Sequence, residues 1–271
     1  MVKSTIRGAF VQSRPKFGEN EENIQESIRL ASTVRADLYV FPELCNTGYT
    51  FTSKKECLSL SESLENGLSV QALQSFSEKN KCTLVAGLAE RDRTKTYNSS
   101  VAIERGKILG TYRKMHLFYR EKLWFSKSKT GFRVFPVQSL NCRIGVLICF
   151  DWYFPEASRA LALNRADVIC HPSNLVLPGK AQAGMLARAF ENRVYAITAN
   201  RVGSENRGPK DNFKFTGKSQ IISPTMEIIS SVNATEVVAR AASLDLRKSR
   251  NKYVTTMNNL ISDRRPEYYD L

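Results

Sequence analysis

The sequence predicts a single α/β domain of mixed sheets with flanking helices, on three observations. Apolar runs of strand length alternate with stretches of helical period along the whole chain. No linker, repeat or low-complexity stretch interrupts its 271 residues, so one domain over 1–271 is the simplest arrangement. With 42% hydrophobic and 24% charged residues, the composition is that of a globular chain able to bury a core.

The elements follow in order. Residues 6–12 read as a short strand. Ile24, Ile28, Ala31 and Val34 then fall at helical spacing, with Asn20 as a cap and Glu21 and Glu22 favouring the first turn. The run LYVF (38–41) is a strand stopped by Pro42, which has no N–H to continue a ladder. A helix over 70–79 precedes a strand at 83–89, and 97–103 and 108–113 flank the turn sequence Glu104-Arg105-Gly106-Lys107 as a hairpin. RIGVLIC (143–149) is apolar on nearly every residue, as in a strand covered on both faces. Pro155 suits the first turn of a helix reaching Asn164, with Ala157, Ala160, Leu161 and Leu163 inward. A strand at 167–171 leads to a helix at 181–192 that uses Met185, Leu186, Ala189 and Phe190. Strands at 195–200, 217–222, 227–231 and 237–244 complete the domain, and the polar, aromatic tail from 247 to 271 is predicted to dock on a partner subunit.

Several classes are excluded at this level. No run of about 18 apolar residues exists to span a membrane. The first ten residues hold no apolar core of a secretory signal, so a cytoplasmic location is expected. The six cysteines form no C-x-x-C pair, and with only His116 and His171 in the chain no metal site is expected. A disulfide framework is not expected either, so most of the six should be reduced and buried. The net charge of +14 raises the question of nucleic acid, but the basic residues are spread and no recognition motif accompanies them, so no nucleic-acid partner is predicted.

Three reactive residues each close a predicted strand: Glu43 after LYVFP, Lys114 after ILGTYR and Cys149 after RIGVLI. Carboxyl ends of strands are where loops converge and sites form. A thiol with a pKa near 8.5 needs a base or a nearby cation to act as a nucleophile. No histidine is near Cys149 in sequence, so Glu43 is the candidate base. Lys114 supplies a cation that favours thiolate and stabilises an oxyanion, and the helix begun by Pro155 would add its positive end. Against this, a lone Cys ending an apolar strand is more often an inert buried thiol, and a Glu or Lys at a strand end usually faces solvent.

These blocks resemble the nitrilase superfamily of carbon-nitrogen hydrolases. FPELCNTGY (41–49), YRKMHLF (112–118) and ICFDWYFPEASRALAL (148–163) are similar to the family's Glu, Lys and Cys motifs, in the family's order. The resemblance continues through HPSNLVLP (171–178), ENRVYAITANRVG (191–203) and GKSQIISPTMEII (217–229), nearly the whole chain. It implies a four-layer αββα sandwich associating to αββα-αββα, and a Glu43-Lys114-Cys149 triad. It also implies that Glu121, in REKLWF, holds Lys114 or the substrate. After REKLWF the family often carries Pro-Gly-Asp where this chain has Ser126-Lys127-Ser128-Lys129-Thr130-Gly131, a departure that touches this loop and not the triad.

The chemistry so implied uses Glu43 as base and acid, Cys149 as nucleophile, and Lys114 with the Phe150 N–H as oxyanion donors, with no cofactor. Tyr49, Phe118, Trp124, Phe150, Trp152 and Tyr153 are candidates to wall the pocket, and Asn174 either bonds substrate or caps a turn. His116 reads as a buried packing and hydrogen-bonding residue. The expected activity is hydrolysis of small linear amides or N-carbamoyl amines, the REKLWF run leaning toward the latter. The alternatives are a true nitrilase acting on small nitriles, and a non-catalytic protein that binds an anionic partner through its basic surface. A homodimer is expected.

Overall fold

In the computed structural model, residues 4–208 and 212–269 are described. The first half contributes β1 (Thr5–Gln12), α1 (Asn20–Ala31), β2 (Leu38–Val40), α2 (Lys54–Leu60), α3 (Leu68–Lys79), β3 (Thr83–Asp92), β4 (Lys95–Glu104), β5 (Lys107–Arg113) and the single turn α4 (Glu121–Trp124). The second half contributes β6 (Val134–Val137), β7 (Cys142–Val146), α5 (Pro155–Leu163), β8 (Val168–Pro172), α6 (Lys180–Asn192), β9 (Tyr195–Ala199), β10 (Ser204–Asn206), β11 (Asn212–Lys214), β12 (Gln220–Ile222), β13 (Ile228–Ser231), β14 (Val238–Asp245) and α7 (Leu246–Arg250).

Two six-stranded mixed sheets result. One has the order β14-β1-β2-β3-β4-β5, with β1, β2 and β3 parallel. The other runs β13-β12-β9-β8-β7-β6, with β7, β8 and β9 parallel. β10 and β11 form a separate ribbon. The inner faces meet in one core, where Phe10, Val40, Val85 and Tyr112 of the first sheet join Ile144, Val146, Ile169 and Ile197 of the second. On the outer face of the first sheet, Ile24 and Leu30 of α1 and Val70, Leu73 and Phe76 of α3 pack on Val11, Tyr39 and Leu84. On the second, α5 and α6 contribute Ala157, Leu161, Met185 and Ala189. The layers are therefore helix, sheet, sheet, helix: the αββα sandwich.

Parallel strands buried on both faces have to be apolar throughout, which is why LYV and VIC read so clearly as strands. Some expectations are corrected. Asn20 is not a cap: Glu19 precedes α1, and the Asn20 side chain instead donates to the Leu60 carbonyl and Glu62. Val34 lies past the end of α1. Leu163 and Phe190 are exposed, and the inward face of α5 uses Ser158 and Ala162 instead. β7 ends at Val146, so Cys149 lies beyond the strand rather than closing it. β6, α2, α4, α7 and the β10–β11 ribbon were not anticipated.

Candidate active site

Three chain segments carry acid-base groups toward one point. Glu43 follows β2 past Phe41-Pro42, held close to β3: a Cβ on Gly87 would stand 2.5 Å from the Glu43 Cα. Lys114 follows β5, its N–H donating to the Asn98 carbonyl of β4 at 2.8 Å. Cys149 opens a 3₁₀ turn over Cys149–Tyr153 with φ of +42°, a left-handed conformation that a non-glycine residue adopts only where its surroundings enforce it.

Glu43, Lys114 and Glu121 form one buried cluster. Lys114 Nζ donates to Glu43 Oε1 at 2.6 Å and to Glu121 Oε1 at 2.8 Å, and all three side chains are withdrawn from solvent. Asn98 Nδ2 donates to Glu43 Oε1 at 2.7 Å, the Tyr49 hydroxyl to Glu121 Oε1 at 2.8 Å, and the Phe118 N–H to Glu121 Oε2 at 3.2 Å. Glu43 Oε2 is buried with no partner, as is Asn98 Oδ1. Burial opposes the Lys114 ammonium, but Glu121 and Glu43 outweigh it and raise its pKa. Burial, aided by Glu43, raises that of Glu121 against the pull of Lys114.

Cys149 differs from the expectation of a resting thiolate. Burial pushes its thiol well above the ordinary range and Glu43 adds to the shift, which Lys114 and the backbone N–H of Asn174 only partly oppose. The sulfur is therefore protonated at neutral pH, because burial and the neighbouring carboxylates outweigh Lys114. The 3₁₀ turn also separates Cys149 from α5, which begins only at Pro155. All six cysteines are free and buried. Several of the cysteines sense a charged neighbour, as Cys142 senses Asp167 and Arg250, but Cys149 is the one facing the Glu43-Lys114-Glu121 cluster, while burial alone accounts for the raised pKa of Cys170.

Two further residues fix the Cys149 turn. Asp151, fully buried, accepts the Ile148 N–H at 2.9 Å and the Tyr112 hydroxyl at 2.8 Å, while its other oxygen accepts the His116 N–H at 3.1 Å and lies 2.8 Å from His116 Nδ1. It thus ties the turn to residues on both sides of Lys114. His171, fully buried, has Nε2 2.9 Å from the Cys149 carbonyl, which can only accept, so Nε2 carries the proton. Nδ1 then accepts from Thr198 at 3.1 Å. Burial lowers its pKa to about 4, so His171 is neutral. His116 packs and hydrogen-bonds as expected, stacked 3.6 Å from Phe154, but is only half-buried.

A small cavity of about 20 Å³ adjoins the sulfur, bordered by Phe118, Phe150, Trp152, Asn174, Val176 and Leu177 among others. Tyr49 is buried and bonded to Glu121, Trp124 packs with Phe51 and Phe125, and Tyr153 is exposed beside Phe150; none of these three borders the cavity. Both polar ends of the Asn174 carboxamide are buried and unpartnered, a state that costs roughly 1–3 kcal/mol for each unsatisfied group. Larger grooves of about 830 and 800 Å³ lie against α5 and the C-terminal segment and contain none of these groups. Among the described residues no cluster of three or more His, Cys, Asp or Glu could hold a metal ion, and no helix is long and apolar enough to cross a membrane.

Sequence reasoning gave no site role to Asn98, Asp151 or His171. Their one signal is a polar residue at an inward position of an apolar segment, as in VICHP and ICFDW.

Known proteins resemble the chain over nearly its whole length. The chain is 43% identical over 267 residues to a nitrilase of Pyrococcus abyssi, covering 97% of this chain and 99% of that one. It is 29% identical over 262 residues to an N-carbamoylputrescine amidase of Arabidopsis thaliana, covering 89% and 86%. The crystal structure of a carbon-nitrogen hydrolase from Helicobacter pylori superposes with a TM-score of 0.86 at 24% identity, over 98% and 97% of the two chains, and so shares the fold. The carbon-nitrogen hydrolase family matches residues 8–250, from β1 through the last residue of α7. With both sheets and all three acid-base segments inside that match, the chain belongs to the carbon-nitrogen hydrolases of the nitrilase superfamily.

Proposed function

We propose that the chain hydrolyses small linear amides, N-carbamoyl amines included, through a thioester on Cys149. The observation that carries this reading is the asymmetry of Glu43: Oε1 is engaged by Lys114 and Asn98, while Oε2 is buried and free beside a protonated thiol. Glu43 Oε2 takes the thiol proton as Sγ attacks the amide carbon. Lys114 has one N–H left after its two carboxylates, and with the Phe150 backbone N–H it receives the oxyanion; each such donor is worth about 3–4 kcal/mol in the transition state. The carbon-nitrogen bond then breaks as Glu43 returns the proton to the departing amine. Glu43 next deprotonates a water that attacks the thioester, and the acid leaves as the thiol is restored. Glu121 acts through Lys114, holding its ammonium in place.

A nitrile follows the same path through a thioimidate, a second reading favoured by the relative named as a nitrilase. Association into a homodimer is part of the proposal, supported by the exposed Leu163, Phe190, Val254 and Met257 on α5, α6 and the C-terminal segment. Ammonia release from a panel of amides, nitriles and N-carbamoyl amines, with Cys149→Ala as control, tests the chemistry. Turnover that survives in Cys149→Ala removes the nucleophile. Salt-sensitive retention on nucleic acid without turnover of any compound would favour a binding protein instead.

A further inference from the structure

Resting on that reading, we propose that the substrates are uncharged primary amides with a short apolar acyl group, and that Asn174 is the side chain that selects them. The cavity beside Cys149 is walled by Phe118, Phe150, Trp152, Val176 and Leu177, and no charged side chain borders it. Glu43 and Glu121 are not among the side chains that line this wall, and both already pair with Lys114, so neither offers a counter-charge at the far end of the acyl group. An ammonium or carboxylate at the far end of the acyl chain would shed its hydration there against rings and methyl groups, with no counter-charge to replace it.

The size of the space points the same way. About 20 Å³ is room for about one water, so an acyl group of a few carbons already displaces a wall. Phe118 and Phe150, half-buried and tilted together with ring centres 5.1 Å apart, are the side chains that can yield.

Apart from the sulfur and the Trp152 indole N–H, Asn174 is the polar side chain on this wall, and both ends of its carboxamide lack a partner. It is 1% exposed, and its own backbone N–H faces Cys149 Sγ, which sets the side chain beside the reacting carbon. A primary amide offers N–H donors to Oδ1 and a lone pair to Nδ2. A nitrile has no N–H and leaves Oδ1 unsatisfied, the kind of mismatch by which sites built for hydrogen bonding reject an analogue.

The test compares kcat/KM of the full chain for propionamide, benzamide, propionitrile, succinamate and N-carbamoylputrescine, with acylation of Cys149 followed by mass spectrometry after acid quench. Propionamide is expected to exceed succinamate, N-carbamoylputrescine and propionitrile by about a hundredfold, and benzamide by about tenfold. Asn174→Leu and Asn174→Ser are each expected to shrink the propionamide-to-propionitrile ratio by about tenfold or more, with KM for the amide rising. Either charged compound matching propionamide overturns the substrate class while leaving the thioester chemistry intact. An unchanged ratio in both variants overturns the role of Asn174. Absence of any acyl adduct on Cys149 from all five compounds overturns the underlying reading as well.

Discussion

Burial holds the resting thiol of Cys149 neutral, so the proposed chemistry requires a proton to move to Glu43 during attack rather than a standing thiolate. Alkylation by iodoacetamide is therefore expected to be slow at pH 6 and to rise about tenfold per pH unit through pH 8 without levelling off, as the small thiolate fraction grows. A fast rate that stays flat across that interval would show a thiolate already present. Glu121→Gln removes one carboxylate from the Lys114 ammonium but keeps the shape, and kcat should fall by roughly 10–100-fold while Glu43 still pairs the lysine. Wild-type kcat in that variant would leave Glu121 without a role. His171 carries a stability signature. Its pKa is about 4 folded against about 6.5 unfolded, so the unfolded chain binds a proton between those values and the folded chain does not. Stability should thus fall as pH drops from 6.5 toward 4, by up to about 3 kcal/mol. Urea unfolding at pH 7 and 4.5 measures it, and a slope that does not flatten in His171→Gln would assign the loss elsewhere.

At the scale of the elements, the loops hang on close approaches between strands. Gly87 of β3 runs under the Glu43 loop with no room for a methyl group: a Cβ there would stand 2.8 Å from the Pro42 carbonyl oxygen as well. Gly87→Ala should displace Glu43 and cut kcat by tenfold or more, about 1.4 kcal/mol or above in the barrier. Unchanged kinetics would mean that the loop tolerates the shift. Gly184 of α6 does the same for Trp152, whose ring lies 2.5 Å from the ideal Cβ position. The interior strands were legible in the sequence because burial on both faces leaves them only apolar residues to use. Glu43 and Cys149 were legible because they stand just after such runs, whereas Lys114 follows the edge strand β5, whose residues apart from Tyr112 are half-buried or exposed. Asp151 and His171 were not legible. The Asp151 contact to His116, 35 residues away, joins segments of the two sheets, and the His171 contact, 22 positions back, joins the neighbouring strands β7 and β8 of one sheet through the turn after β7, so both are visible only once the strands are assembled. The exposure of Leu163 and Phe190 was likewise hidden: helical period assigns them to an apolar stripe without saying which layer lies beneath.

For the whole molecule, the two sheets divide the labour. The first brings Glu43 and Lys114 and the second brings Cys149, so the proposed site is assembled only while the sandwich is closed. Truncating its shared core should therefore cost activity and stability together. Ile197→Ala, fully buried on β9, is expected to lower stability by about 2–5 kcal/mol. The exposed apolar side chains of α5, α6 and the tail lead to the expectation of association. Light scattering at micromolar concentration should give about twice the 30.6 kDa chain mass, and a Phe190→Glu variant should fall back to it. A wild-type chain that stays at 30.6 kDa would refute the dimer.

The tightness of the chamber beside Cys149 also imposes an order of events. Where one small guest fits, a released amine and an arriving water cannot wait side by side. The first product must clear out before the second reactant takes its turn, so the kinetics should be ping-pong. Hydroxylamine, scarcely bigger than water, should then intercept the acyl group where bulkier amines do not.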